Sequence, residues 1–160
     1  MKKRGLGIVD SPRGLEFVPK TIEVFVAGDR VCQNFTGKLD LTEYPNLEKI
    51  VIGSYCFSDV EKCVIGKLPK LKSIRIGGNS FTQHANADVP SEFRESAFTV
   101  YETPVLESIV IDCYSFNDFS HFALEDVPVL DSIQIGRIGY ESSNFMNCDL
   151  QLCGCRAPVP

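Results

Sequence analysis

One pattern recurs along this chain and limits what it can fold into. Pro45–Phe57 reads PNLEKIVIGSYCF, Pro69–Phe81 reads PKLKSIRIGGNSF, Pro104–Phe116 reads PVLESIVIDCYSF and Pro128–Tyr140 reads PVLDSIQIGRIGY; a degenerate copy, TIEVFVAGDRVC, precedes them at Thr21–Cys32. Imperfect copies at roughly regular spacing imply a stack of similar units, each covering its neighbour's apolar face, and not one wound core.

The period inside each copy identifies the unit. Ile50 and Ile52, Ile74 and Ile76, Ile109 and Ile111, and Ile133 and Ile135 each flank one differing residue. That is strand alternation, and β-branched residues suit a pleated surface. A second period-two segment precedes each opening proline: Leu39/Leu41, Cys63/Ile65, Phe98/Val100 and Phe122/Leu124. Each unit therefore carries two short strands, with the proline, which lacks an amide hydrogen, at a corner outside the ladder. Tyr44, Leu68 and Val127 precede three of those prolines, and Thr103 is the exception. Gly53, Gly77 and Gly136, with Asp112 in the fourth copy, follow the first strand, where the chain can turn with positive φ.

This divides the chain into a lead-in or partial N-terminal cap (1–20), a repeat domain (21–152, with units at about 21–44, 45–68, 69–103, 104–127 and 128–152) and an irregular tail (153–160). Leu15, Phe17 and Val18 are expected to cover the first unit. The expected core is Leu47, Ile50, Ile52, Phe57, Leu71, Ile74, Ile76, Phe81, Leu106, Ile109, Ile111, Phe116, Leu130, Ile133 and Ile135. Extra residues leave one corner twice, at 82–97 and 141–147, after the matching aromatics Phe81 and Tyr140. The last unit is expected to break off at 150–152 with no strand to pair, which makes end-to-end self-association a candidate property.

Composition excludes several classes. A net charge of −5, with one short basic run at Lys2–Arg4, leaves no electrostatic footprint for nucleic acid. No apolar run approaches the roughly 20 residues of a membrane span. The charged start without an apolar segment does not read as a signal peptide and favours the cytoplasm if Met1 is the true start; the compartment is otherwise open. Cys32, Cys56 and Cys63 stand among apolar residues and are expected to be shielded free thiols. Cys148, Cys153 and Cys155 lack the paired spacing of a zinc site. His84 and His121 have no nucleophile or carboxylate placed beside them by any motif, and Gly77-Gly78 is not followed by a phosphate-loop pattern. The reading is a protein that is not an enzyme and has no cofactor or metal.

Leu71, Ile74, Ile76, Asn79 and Phe81 fill every slot of L-x-x-L-x-L-x-x-N-x-L. Over about residues 21–145 the chain resembles leucine-rich repeat proteins, and is most similar to the BspA-like repeats of bacteria and protists, in which IGSYCF, IGGNSF and IDCYSF have counterparts. The asparagine slot departs from that pattern at Arg30, Tyr55, Tyr114 and Ile138. The resemblance implies a β-rich, right-handed solenoid of about five coils, with a parallel sheet on the concave side and a second short strand per coil. It also implies a non-catalytic scaffold that binds a protein. Residues alternating with the buried isoleucines form two columns on the open face: Val24, Lys49, Ser73, Ser108 and Ser132, then Val26, Val51, Arg75, Val110 and Gln134. These are the candidate partner-binding residues. Phe93, Arg94 and Phe119 are secondary candidates, as a patch between the two inserts. The alternative is a structural spacer within a longer repeat array, such as a surface or adhesin-like protein.

Overall fold

The computed structural model describes residues 5–82, 95–146 and 148–155. Among these residues eleven strands form two layers, and one short helix packs beside the first strand. The first sheet runs β1 (Leu6–Val9), β2 (Val24–Ala27), β4 (Lys49–Ile52), β6 (Ser73–Ile76), β8 (Ser108–Ile111) and β10 (Ser132–Ile135) in that spatial order. The second runs β3 (Gly37–Asp40), β5 (Val60–Gly66), β7 (Ala97–Tyr101), β9 (His121–Glu125) and β11 (Asp149–Cys153). Every pairing is parallel, and the chain passes from one sheet to the other and back. The result is a β-rich, repeat-built, solenoid-like fold.

Side chains pointing between the sheets form the core. Phe25, Ile50, Ile74 and Ile109 are register partners, as are Ala27, Ile52, Ile76 and Ile111. Leu39, Cys63, Phe98 and Phe122 face them from the second sheet, and all are buried. Beside them Phe57, Phe81 and Phe116 stack with ring centroids 5.4 and 4.6 Å apart. The stack continues to Phe145, 5.1 Å from Phe116 with its ring nearly parallel. Tyr140, the residue aligned with this slot in the sequence, is exposed instead. Phe145, within the stretch read as an insert, thus packs against the core, and that stretch is not only an inserted loop.

The corner after the first strand holds two residues of left-handed backbone per repeat: Arg30 and Cys32, Tyr55 and Phe57, Asn79 and Phe81, Tyr114 and Phe116. Gly53 and Gly77, the residues expected to turn there, do not have positive φ; Gly136 does. Their small size serves close approach. A Cβ on Gly77 would lie 2.6 Å from the carbonyl carbon of Gly53, and one on Gly53 would lie 2.8 Å from that of Gly28. Each repeat is pressed against the backbone of the one before.

The asparagine slot does not carry a side-chain ladder. Its backbone amides bond directly to the next repeat: Arg30 to Ser54 O, Tyr55 to Gly78 O and Asn79 to Cys113 O. The side-chain ladder sits one residue later. The Cys56 thiol donates to Gly28 O, the Ser80 hydroxyl to Gly53 O, the Ser115 hydroxyl to Gly77 O and the Asn144 amide to Asp112 O. Ser80 and Ser115 also accept from the amides of Cys56 and Ser80. These bonds satisfy backbone groups that would otherwise be buried without partners.

The two ends differ. Residues 5–20, read as an irregular lead-in or partial cap, supply strand β1 and helix α1 (Pro12–Glu16), capped by the Ser11 hydroxyl accepting from Gly14 N at 3.0 Å. Val18 is buried and Leu15 half-buried there, whereas Phe17 is 72% exposed and covers nothing. At the other end, residues 149–153 form β11 and pair with β9, so the segment expected to break off unpaired is a strand. That end is nevertheless open. Ile133 and Ile135, expected in the core, are 41% and 45% exposed, and Leu130 is only half-buried. Their inward faces pack on the preceding repeat, and among the described residues no further strand pairs with β10 on its other side.

Candidate functional site

The predicted columns exist in register. Val24, Lys49, Ser73, Ser108 and Ser132 pair in succession across the first sheet, and so do Val26, Val51, Arg75, Val110 and Gln134. Strand β1, absent from the sequence reading, extends the columns by Leu6 and Ile8, both exposed. All ten candidates lie on the open face, half-buried or exposed.

The second column does more than line a flat sheet. Val51, Arg75, Val110 and Gln134 border a depression of about 430 Å³ at the C-terminal ends of β4, β6, β8 and β10. Its rim comes from Asp29, Asp112 and Arg137, and its wall from the backbone of Gly53, Gly77 and Gly136. Val26 and the first column, Val24, Lys49, Ser73, Ser108 and Ser132, lie outside it.

The charges at the rim have defined partners. Arg137 grips Asp112 with both arms of its fork, Nε to Oδ1 at 2.8 Å and Nη2 to Oδ2 at 2.5 Å. Cys113 N also donates to that carboxylate. The Arg137 hydrogen bond holds the Asp112 carboxyl below the usual carboxylate range, outweighing partial burial. Asp29 accepts from Ser54 N at 2.8 Å. Arg75 makes no ion pair among the described residues, so its guanidinium faces the groove uncommitted. Asp29, Asp112 and Arg137 were not singled out from sequence. The signal available was Asp112 itself, which stands where other repeats have glycine.

The secondary patch does not form as expected. Phe119 is 1% exposed, packed edge-on against Phe81 and Phe116 at 6.3 and 4.8 Å, so it cannot meet a partner. Phe93 and Arg94 lie outside the described residues, as does His84. His121 stands exposed on β9.

Cys32, Cys56 and Cys63 are buried free thiols. Burial pushes the Cys32 thiol up to about 11 and raises Cys63 and Cys56 as well. Their environment is that of small core residues and not of nucleophiles. Among the described residues no three His, Cys, Asp or Glu side chains are placed to hold a metal, and no helix is long and apolar enough to cross a membrane.

The chain matches no protein-family model, no curated protein and no solved structure. The groove on the first sheet is therefore read on its own chemistry.

Proposed function

We propose that this chain is a non-catalytic recognition module of the leucine-rich-repeat kind: a right-handed stack of about five two-stranded coils, capped by β1 and α1, with the first sheet on its concave side. In this reading a protein partner lays an extended segment across the ends of β4, β6, β8 and β10. The observation that supports it is the convergence of Val51, Arg75, Val110 and Gln134 on one groove, with Arg75 uncommitted. The valines offer apolar contact. Gln134 offers an amide, and Arg75 a planar fork that suits a carboxylate. The segment therefore carries an acidic side chain or terminal carboxylate beside small apolar residues.

Panning a displayed peptide library against the intact chain tests this. Selected peptides are expected to share a carboxylate next to apolar residues. Arg75→Glu should weaken them at least about tenfold, because a charge-assisted hydrogen bond contributes about 1.5–3 kcal/mol. Lys49→Glu, outside the groove, should change affinity little. Peptides indifferent to Arg75→Glu but lost with Lys49→Glu would move the site to the first column.

A further inference from the structure

Two departures from the repeat meet at the rim of the groove. Asp112 stands in the slot that Gly53, Gly77 and Gly136 fill, and Arg137 stands in the next slot, where the other coils carry Asp29, Ser54, Gly78 and Cys113. Each follows the end of its strand, and those strands, β8 and β10, are neighbours in register. Arg137 occupies both carboxylate oxygens of Asp112, and Cys113 N shares Oδ1. An ion pair with its arginine 60% exposed adds little to stability. Its place beside Arg75 gives it another use.

Asp112 is the carboxylate placed to neutralise Arg75. Arg75 pairs with Val110 across β6 and β8, and Asp112 lies two residues beyond Val110. One strand spacing across and two residues along separate the two backbones by about 8 Å, which an extended arginine side chain spans. The carboxyl group leans the right way: its Cγ lies 4.0 Å from where a Cβ on Gly78 would be, on the coil that carries Arg75. Both side chains line the same depression. An aspartate is charged at neutral pH whether or not an arginine holds it. Asp29, the other rim carboxylate, belongs to the coil of β2, two strand spacings from β6, and its Oδ1 accepts from Ser54 N. Arg75 nevertheless makes no ion pair among the described residues.

We infer that Arg137 is the positioning residue of the groove: by occupying both oxygens of Asp112 it keeps Arg75 free for a partner's carboxylate, and it thereby sets a preference for acidic over basic segments. This role rests on the groove being the binding site proposed above. The cations lining the groove are Arg75 and Arg137. Without Arg137 the rim carries two carboxylates, Asp29 and Asp112, and Arg75 turns to the nearer one. An acidic segment then meets repulsion and loses its donor together.

Nitrogen-detected NMR of the arginine guanidinium groups in the intact chain reads the contest for Asp112 with no partner present. In the wild type the Arg75 group should rotate freely and the Arg137 group slowly. In Arg137→Met the Arg75 rotation should slow, and in Asp112→Asn with Arg137→Met it should be free again. Binding is read with one probe, the peptide acetyl-Val-Glu-Val-amide. Arg137→Met should weaken it about two- to fivefold, the size of an exposed ion pair. Adding Asp112→Asn should restore the wild-type affinity, because the double variant has the wild-type net charge. Lys49→Met removes the same charge from the same sheet outside the groove and should change neither readout. If Arg137→Met does not fold, Arg137→Gln carries the same test. Arg75 rotation that stays free once Arg137 is replaced, or a loss of binding that Asp112→Asn does not restore, would overturn the role of Arg137. A wild-type chain that does not bind the probe at all rejects the peptide groove instead, and the guanidinium signals still decide whether Arg137 keeps Arg75 free.

Discussion

Thr103 is buried with its hydroxyl unpartnered, the one such side-chain oxygen or nitrogen among the described residues. Its counterparts are Tyr44, Leu68 and Val127, so the position asks for an apolar group. Thr103→Val replaces the hydroxyl with a methyl of similar size. It is expected to stabilise the fold by about 1–2 kcal/mol and, in calorimetry, to raise the melting midpoint by roughly 2–4 °C per kcal/mol. The exception was legible in the sequence as a break in pattern, but its cost depends on burial and on the absence of a neighbour, which only the fold reveals. The glycines carry the opposite lesson. Gly28, Gly53 and Gly77 look alike in sequence and invite a single explanation in backbone freedom. Space separates them: a Cβ at Gly77 meets fixed backbone at 2.6 Å, whereas one at Gly28 meets only Val31 Cγ2 at 4.0 Å. Gly77→Ala should cost about 1–3 kcal/mol in urea unfolding, and Gly28→Ala should stay within about 0.5 kcal/mol of wild type. Equal losses at both sites would mean that backbone conformation, and not contact, decides.

Strands were the most readable elements, because alternation and register are written in the same letters: Ile50, Ile74 and Ile109 align in sequence and pair in space. The hydrogen-bonded corner was less readable. Attention to the asparagine slot hid the ladder one residue later, where Cys56, Ser80, Ser115 and Asn144 each stand immediately before a phenylalanine of the stack. That signal was present, but the last repeat displaces it by five residues to Asn144-Phe145, and Tyr140 offered itself first. Ser115→Ala removes the donor to Gly77 O and the acceptor for Ser80 N in a buried site, so it should destabilise by about 1–3 kcal/mol, read as a lower urea midpoint. The next contact along the corner, Asp112–Arg137, makes a pH-dependent contribution. The folded Asp112 carboxyl is depressed, so the unfolded chain takes up its proton at higher pH. The contribution is complete above the ordinary aspartate value of about 4 and is lost as pH falls through the lower folded value. Urea midpoints of wild type and Arg137→Met should therefore differ at neutral pH and converge in acid. A gap that persists unchanged to about pH 2 would assign the difference to something other than this carboxylate.

Across the whole molecule, each strand pairs only with the strands of adjacent repeats, so stability is passed from neighbour to neighbour. Amide exchange in dilute solution should be slowest in β4, β6 and β8, faster in β10 and β11, and intermediate in β1 and β2 beneath α1; protection as strong at β11 as at β6 would contradict this order. The interior of the stack was legible because every copy there meets another copy. The outermost strands were not, since one pattern gives burial between two described neighbours and exposure beside one: Ile109 lies between Ile74 and Ile133 and is buried, whereas Ile133 pairs only with Ile109 among the described residues and is exposed. The parallel ladders have a mechanical consequence. Strands β1 and β11 lie at opposite ends of the stack, so a pull applied through them runs along it and loads one rung of backbone bonds at a time. No single clasp holds the whole. Stretched, the molecule should give way in small, repeated steps, peeling first from the outermost strands β10 and β11 and last from the stacked phenylalanines in the middle.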